Sequence, residues 1–502
     1  MKILNQQQFR EAEQQTINQE AIPSIALMER AAKACMKWVL DHYENTQAFW
    51  IICGTGNNGG DGLAVYRLLT EKKYSCKLFE FQLGQIPSKD FVENRKKIKV
   101  GEINKLTLEA LSSLPKEVVL IDALLGTGVN RPVKGMLKKV IQTLNALPNM
   151  ILSIDIPSGL FPEFNSKNSS EGIIQANHTL SFQLPKLAFL LPENGGKTGK
   201  FHLLDINLSP PFLKEVKTPH NYLTSKIANA LYKSTNKFDH KGINGHHLLI
   251  AGSKGKIGAA TLAAKAALRT GLGKLSILTP ICGVEILQNN VSEAMIELNT
   301  GKSCLSGHYG LDYDTVSLGP GLGTSADTKD FIYSVFSETK ARMVIDADVI
   351  NIIALHPEWI KKLQKKTILT PHPKEFERLV GSWKSDREKL ELLVQFVKKH
   401  QLICVLKGAH TAIALPDGNI WFNSSGNPGM AKAGSGDVLT GIIGGLLAKG
   451  YAPETASLLG VYAHGRAADI QTQSLFPPFM LASDIINGLN GVWGEMENKS
   501  QK

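Results

Sequence analysis

The stretch GNPGMAKAGSGDVLTGIIGGLLAKG, from Gly426 to Gly450, does most to limit what this chain can fold into. It begins with Gly426, Pro428, Gly429, Gly434 and Gly436, a loop composition. It continues from Val438 to Leu447 as an apolar run long enough for a buried helix. Asp437 stands where loop becomes helix. Backbone N–H groups at a helix start lack intrahelical partners, and the helix dipole adds partial positive charge there. Glycines let that backbone approach an anion closely. Gly434–Asp437 therefore reads as an anion hole with a carboxylate beside it, which suits phosphoryl transfer: the amides hold the moving group and Asp437 takes a proton from the attacking hydroxyl. The same residues also read as a glycine-rich turn capped by Asp437.

A helix buried on all sides needs a large core around it. The chain has 502 residues, 43% of them hydrophobic, which is enough for two or more domains. Strand-like apolar runs alternate with glycine loops and helical patterns throughout, which predicts α/β architecture with mostly parallel sheets. Residues 7–45 carry helical spacing for one or two amphipathic helices. Trp50–Cys53 then reads as a buried strand, followed by the loop GTGNNGGDG and a helix. Strand, glycine loop, helix is a phosphate-cradling arrangement, although the spacing is neither that of a dinucleotide fingerprint nor that of a P-loop. Two more strand-to-loop passages follow, Glu117–Asp122 and Met150–Asp155. Ligands of open parallel sheets bind at the carboxyl ends of strands, so Asn58, Asp122 and Asp155 are expected on one rim. Asn58, Asp122 and Ser158 offer only hard oxygen donors, which suits a cation bound by oxygen. Lys186, inside the apolar run 176–190, reads as a common surface lysine.

Pro210-Pro211 and Pro219 mark a domain boundary near residues 210–225. In the second half, glycine- or histidine-bearing loops follow almost every candidate strand: 252–258, 319–323, 370–376 and 407–411. A nucleotide and a second substrate sharing one rim require such a set.

The net charge of +11 is carried by scattered Lys and Arg. It makes a mildly basic surface for small anions, without the basic stripe and interleaved aromatics of a nucleic-acid binder. Six cysteines without a CxxC pair read as free thiols of a reducing compartment. The start MKILNQQQFREAEQQ is not a signal peptide, and no apolar run suits a membrane span, so a cytoplasmic protein is expected.

These motifs carry a family resemblance on both sides. Asn427-Pro428-Gly429-Met430-Ala431 with Gly434-Ser435-Gly436-Asp437, together with 252–258, 319–323 and 370–375, resembles the NAD(P)H-hydrate dehydratase branch of the ribokinase-like superfamily. GNNGGDG, IDALLGTGVNRP and SIDIPSGL resemble the NAD(P)H-hydrate epimerase family. The resemblance implies a Rossmann-like three-layer α/β/α epimerase domain over 1–215, a linker over 216–224, and over 225–502 a ribokinase-like α/β dehydratase domain with a mostly parallel sheet. It implies interconversion of R and S hydrated NADH or NADPH, and dehydration of the S form while ADP becomes AMP and phosphate.

Residue by residue, it implies epimerase substrate contacts from Asn57, Asn58, Gly59, Gly60 and Asp61, and from Gly126, Thr127, Gly128, Val129, Asn130, Arg131 and Pro132. Asp155 is the implied catalytic acid or base, and Asn58, Asp122 and Ser158 are the implied potassium ligands. In the second half it implies hydrate contacts from Ala259, Gly321, His372 and Asp437, with Asp437 catalytic. The implied nucleotide contacts are Lys407, Gly408, Ala409, His410, Thr411 and Gly436, with Mg2+ accompanying ADP. Small-molecule substrates and a homo-oligomer are implied, with no nucleic acid or membrane. The residues by themselves leave a second reading open, a kinase for a small alcohol whose first half binds without turnover.

Overall fold

The computed structural model describes residues 1–82, 84, 86–310 and 312–500. The chain forms two compact units. One comprises Lys2–Thr218 with Ser385–Arg387, and the other comprises Met1 with everything else from Pro219 onward.

The first unit carries β1 (Ala48–Cys53), β2 (Ser75–Glu80), β3 (Ile103–Lys105), β4 (Val119–Ala123), β5 (Ile151–Ile154), β6 (His178–Phe182) and β7 (Lys200–Leu204). They pair in the order β3-β2-β1-β4-β5-β6-β7, parallel throughout. Alternate residues of β1 enter different cores. Phe49, Ile51 and Cys53 pack with the helices 6–20, 24–42 and 57–71, whereas Trp50 and Ile52 pack with the helix Gly135–Ala146. Both faces of the sheet are covered, so this strand reads as continuously apolar and the unit is a three-layer α/β/α sandwich. The strand order reverses between β1 and β4, which opens a crevice at their carboxyl ends.

Residues 216–224, expected as a linker, contain the division between Thr218 and Pro219 and then β8 (His220–Leu223), which pairs in parallel with the last strand of the second sheet. That sheet continues with β9 (His246–Ile250), β10 (Lys274–Thr279), β11 (Met295–Leu298), β12 (Thr315–Leu318), β13 (Arg342–Ile345), β14 (Ile368–Leu369), β15 (Ile403–Leu406), β16 (Ala412–Ala414) and β17 (Ile420–Asn423). Its order is β11-β10-β9-β12-β13-β14-β15-β16-β17-β8, parallel from β11 to β15 and antiparallel across the β16 hairpin. The switch point lies between β9 and β12.

The apolar run of the opening motif is the helix Ser435–Ala448, buried against the helix Ile257–Leu268 and the sheet. Glycine makes that approach possible. A Cβ on Gly441 would stand 2.0 Å from the Ala263 carbonyl oxygen, and one on Gly445 would stand 2.2 Å from Thr270 Oγ1. The alanines of the facing helix (Ala260, Ala263, Ala264, Ala267) complete the close contact. This packing fixes where the helix starts, and hence where Asp437 sits. Among the described residues no helix is long and apolar enough to cross a membrane.

Candidate active sites in the two units

In the first unit, the loop after β1 leads directly into the helix Asn57–Glu71, whose start lies at the switch point. Gly59 is obligatory there, because a Cβ would stand 1.9 Å from the Gly54 carbonyl oxygen. Asn58 is buried, and its Nδ2 donates to the Leu125 carbonyl (2.9 Å). Among the described residues its buried Oδ1 accepts no hydrogen bond. Asp122, at the end of β4, is 2% exposed and forms no ion pair among the described residues. It accepts from Ser153 Oγ (2.8 Å), Ser158 N (2.9 Å), Ser158 Oγ (2.5 Å) and Leu124 N (3.2 Å). Burial raises its pKa above the ordinary carboxylate value against those four bonds. Ser158 Oγ also accepts from Leu125 N (2.8 Å). The three expected oxygen ligands thus converge around Leu125. An unsatisfied amide oxygen beside an unpaired buried carboxylate is a donor set that fits a hard cation.

Asp155 follows β5 on the same rim, in the left-handed region with φ 64°. Its partner is Lys186, which the sequence presents as an ordinary surface lysine. Lys186 is 4% exposed, and its ammonium forms an ion pair with Asp155, donates to Ser181 Oγ (2.6 Å), and lies 5.0 Å from the centre of the Phe9 ring. Asp61 is buried nearby, and burial followed by the Asp155 charge pushes its pKa well above the usual range. Gly126 packs on Asn58, while Asn57, Gly128, Asn130 and Arg131 stand exposed around the crevice.

In the second unit the loops after β9 and β12 are joined across the switch point: Gly252 N donates to the Pro320 carbonyl (2.9 Å) and Ser253 Oγ to the Gly321 carbonyl (2.7 Å). Gly321 has φ 65°, and a Cβ there would lie 3.2 Å from that of Ala259. These two expected hydrate contacts are therefore neighbours. Gly434, with φ 89°, turns the chain into the helix that carries Asp437 in its first turn. Burial, and then the Asp346 charge, raises Asp437 to about 7, with Lys407 opposing.

Asp346 is the residue the sequence did not single out. It follows β13 as a helix cap would, is 1% exposed, and accepts from Lys407 Nζ (2.9 Å) and Thr440 Oγ1 (2.7 Å). Burial works to lower the pKa of Lys407, but Asp346 and Glu375 together raise it. The ammonium stands where a Cβ on Gly436 would be 3.3 Å away. Lys407, Gly436 and Asp437 therefore meet at the helix start. His372 is tied to the same rim, since Pro371 O accepts from Lys407 N (2.9 Å). Its Nδ1 accepts from Glu375 N (3.1 Å) while Glu375 Oε2 accepts from His372 N (2.8 Å), a reciprocal cap of the helix Pro373–Val380. Burial lowers the pKa of this ring, so Nε2 carries the proton of the neutral form. The loop 407–411 leaves Gly408 and Ala409 exposed, closes through Thr411 Oγ1 on the Gly408 carbonyl (3.1 Å), and turns His410 Nδ1 to the Asn423 carbonyl (3.1 Å).

Comparison with known proteins agrees with both halves. A family model described as NAD(P)H-hydrate dehydratase matches residues 247–490, and one described as YjeF-related protein N-terminus matches residues 24–188. The bifunctional NAD(P)H-hydrate repair enzyme Nnr of Moorella thermoacetica is 32% identical over 500 residues, covering 95% of this chain and 94% of that protein. The enzyme of the same name from Escherichia coli is 31% identical, covering 93% and 89%. A crystal structure of the ADP/ATP-dependent NAD(P)H-hydrate dehydratase from Bacillus subtilis, co-crystallized with ATP/Mg2+, is 32% identical and covers 55% of this chain and 99% of its own, with a TM-score of 0.48. With two sites on two sheets and relatives matched along nearly its whole length, the chain belongs to the family of bifunctional NAD(P)H-hydrate repair enzymes.

Proposed function

We propose that this chain repairs hydrated NADH and NADPH, interconverting the R and S forms in its first unit and dehydrating the S form in its second, with ADP converted to AMP and phosphate. The observation that carries the reading is Asp437, lifted to about 7 beside Lys407 at the glycine start of a buried helix. There the helix amides and Lys407 stabilise a phosphoryl group in transfer, and Asp437 takes the proton of the hydrate's hydroxyl. The phosphorylated oxygen then leaves as phosphate, the adjacent carbon loses a proton, and the ring double bond returns. Ala259, Gly321 and His372 line the hydrate, and Lys407 to Thr411 with Gly436 line the nucleotide. Two carboxylates, Asp346 and Asp437, against one ammonium make a wall that would tolerate Mg2+, which would supply positive charge to the nucleotide's phosphates.

In the first unit, Asn57–Asp61 and Gly126–Pro132 hold the substrate and Asp155 moves a proton. Asn58, Asp122 and Ser158 hold potassium, which supplies the positive charge that Asp122 lacks. We assign residues 1–215 to the epimerase and 225–502 to the dehydratase. Six cysteines without a disulfide suit a reducing cytoplasm, and we expect a homo-oligomer.

The test is purified full-length protein with an epimer mixture of hydrated NADH, MgCl2, KCl and ADP. NADH absorbance is expected to return completely; no return with either ADP or ATP sinks the reading, and a phosphorylated product that persists in solution identifies a kinase. Replacing potassium by tetramethylammonium is expected to slow R/S interconversion at least tenfold and to leave dehydration of purified S form unchanged.

A further inference from the structure

The helix Gln6–Glu20 lies outside the matched family segments, yet one face of it lines the epimerase crevice. Gln6 Nε2 donates to the carbonyl of Thr127 in the substrate loop. Phe9 carries the Lys186 ammonium on its ring. Glu13 continues that face one turn on, since residues three and four apart share a side. Glu13 therefore faces the Asp155–Lys186 ion pair closely enough to feel both charges, with Arg10 one turn back on its own helix, while the buried Asp61 feels the charges of Asp155 and Glu13. Like charges this close disfavour one another's ionisation, and Asp155 and Glu13 both act on Asp61 in this way. Lys186 gives its charge to Asp155.

Resting on the epimerase reading above, we infer that Glu13 is the second proton-transfer group of that site, acting as general acid opposite the Asp155 base. Burial and then the Asp155 charge lift Glu13 to about 7, with Lys186 and Arg10 opposing, whereas Asp61 is held well above its usual range. Of the two protonated groups, Glu13 can release and regain its proton near neutrality. A carboxyl group lifted towards neutrality beside one held in an ion pair suits the pairing of an acid with a base.

The chemistry needs both. Water added across an enamine bond leaves its hydroxyl on the carbon bonded to the ring nitrogen. The C–O bond breaks as the hydroxyl takes the Glu13 proton and departs as water, and the nitrogen lone pair forms a C=N bond. A water molecule then attacks the other face of that carbon. The C=N pair returns to nitrogen, and the incoming water loses its proton to Asp155. The ring is unchanged except for its configuration, and one proton has passed from Glu13 to Asp155. Solvent restores it, or the opposite epimer carries it back.

The test measures interconversion of purified R form by the full chain in KCl as a function of pH. Wild-type kcat/KM is expected to fall as pH rises through about 7, as Glu13 loses its proton. Glu13→Gln is expected to lose about 10²-fold or more and to lose that limb, a size typical of general acids. Glu13→Asp, which keeps an acid, is expected to retain the limb and part of the rate. Interconversion by Glu13→Gln at the wild-type rate with the limb intact overturns the inference. Equal loss in Glu13→Asp and Glu13→Gln makes Glu13 a packing residue and overturns it too. Wild-type protein that dehydrates S form but never interconverts the epimers removes the epimerase reading itself.

Discussion

Asp437→Asn is expected to reduce ADP-dependent dehydration by about 10³-fold while R/S interconversion proceeds at the wild-type rate, because general-base catalysis supplies about 10²–10⁴ in rate and the two sites lie on separate sheets. Asparagine keeps the size and polarity of the side chain in the first helical turn, so the loss reads the base and not the anion hole. The pH dependence gives a second check. A base must be deprotonated to act, so wild-type kcat/KM for S form should rise with pH through about 7, and the variant should lack that limb. This is opposite in sign to the epimerase limb set by Glu13, so one chain should show two activities moving apart across neutrality.

Stability supplies a third check. The folded state binds the Asp437 proton more tightly than the unfolded chain does, because the folded pKa is raised. The group therefore costs nothing below its unfolded value, and the cost grows as pH rises from about 4 to about 7. Asparagine removes that cost, so the inactive variant should be more stable at pH 8, by about 1–3 kcal/mol after allowance for partial solvation. A variant that is both inactive and less stable would point to a structural role and would falsify the assignment.

What the sequence made legible follows from what each position is required to do. β1 and β15 are covered on both faces, so they appear as uninterrupted apolar runs. The glycine loops are legible because the backbone has no alternative at Gly59 or Gly434. Edge strands are not legible in this way. β11 has no buried residue, and β8 is the short polar sequence HNYL, which becomes a strand only by pairing with β17 nearly two hundred residues later. The missed functional residues share one cause. Gln6, Phe9 and Glu13 lie on a helix whose spacing resembles any amphipathic surface helix, and Asp346 has the position of a common cap. Lys186 looks like a surface lysine until the packing of Phe9, Ser181 and Asp155 around it is known. Such roles belong to the tertiary arrangement and leave no local pattern.

Asp155→Asn isolates the first unit's chemistry, and its expected signature is a change in time course more than in a single rate. With an equal mixture of epimers, ADP and Mg2+, the wild-type chain should return all of the NADH in one phase. The variant should return the S share at the wild-type rate and the R share only as fast as it epimerises unaided, so the trace breaks in two. Asparagine suits this test because Asp155 sits at φ 64°, a left-handed conformation that Asn adopts more readily than most residues. Alanine would confound lost chemistry with backbone strain.

The substitution also strips Lys186 of its partner. The side chains of this pair are only 5% and 13% exposed, and removing one member of a buried ion pair costs about 3–5 kcal/mol when the other charge stays behind. Ser181 Oγ, the Phe9 ring and the nearby Glu13 carboxyl remain around the lysine, which limits the loss without removing it. Asp155→Asn with Lys186→Met should therefore be more stable than Asp155→Asn alone and equally unable to interconvert the epimers. If the single variant instead returns all the NADH in one phase at the wild-type rate, Asp155 is a structural partner of Lys186 and the proton transfer must be assigned elsewhere in the crevice.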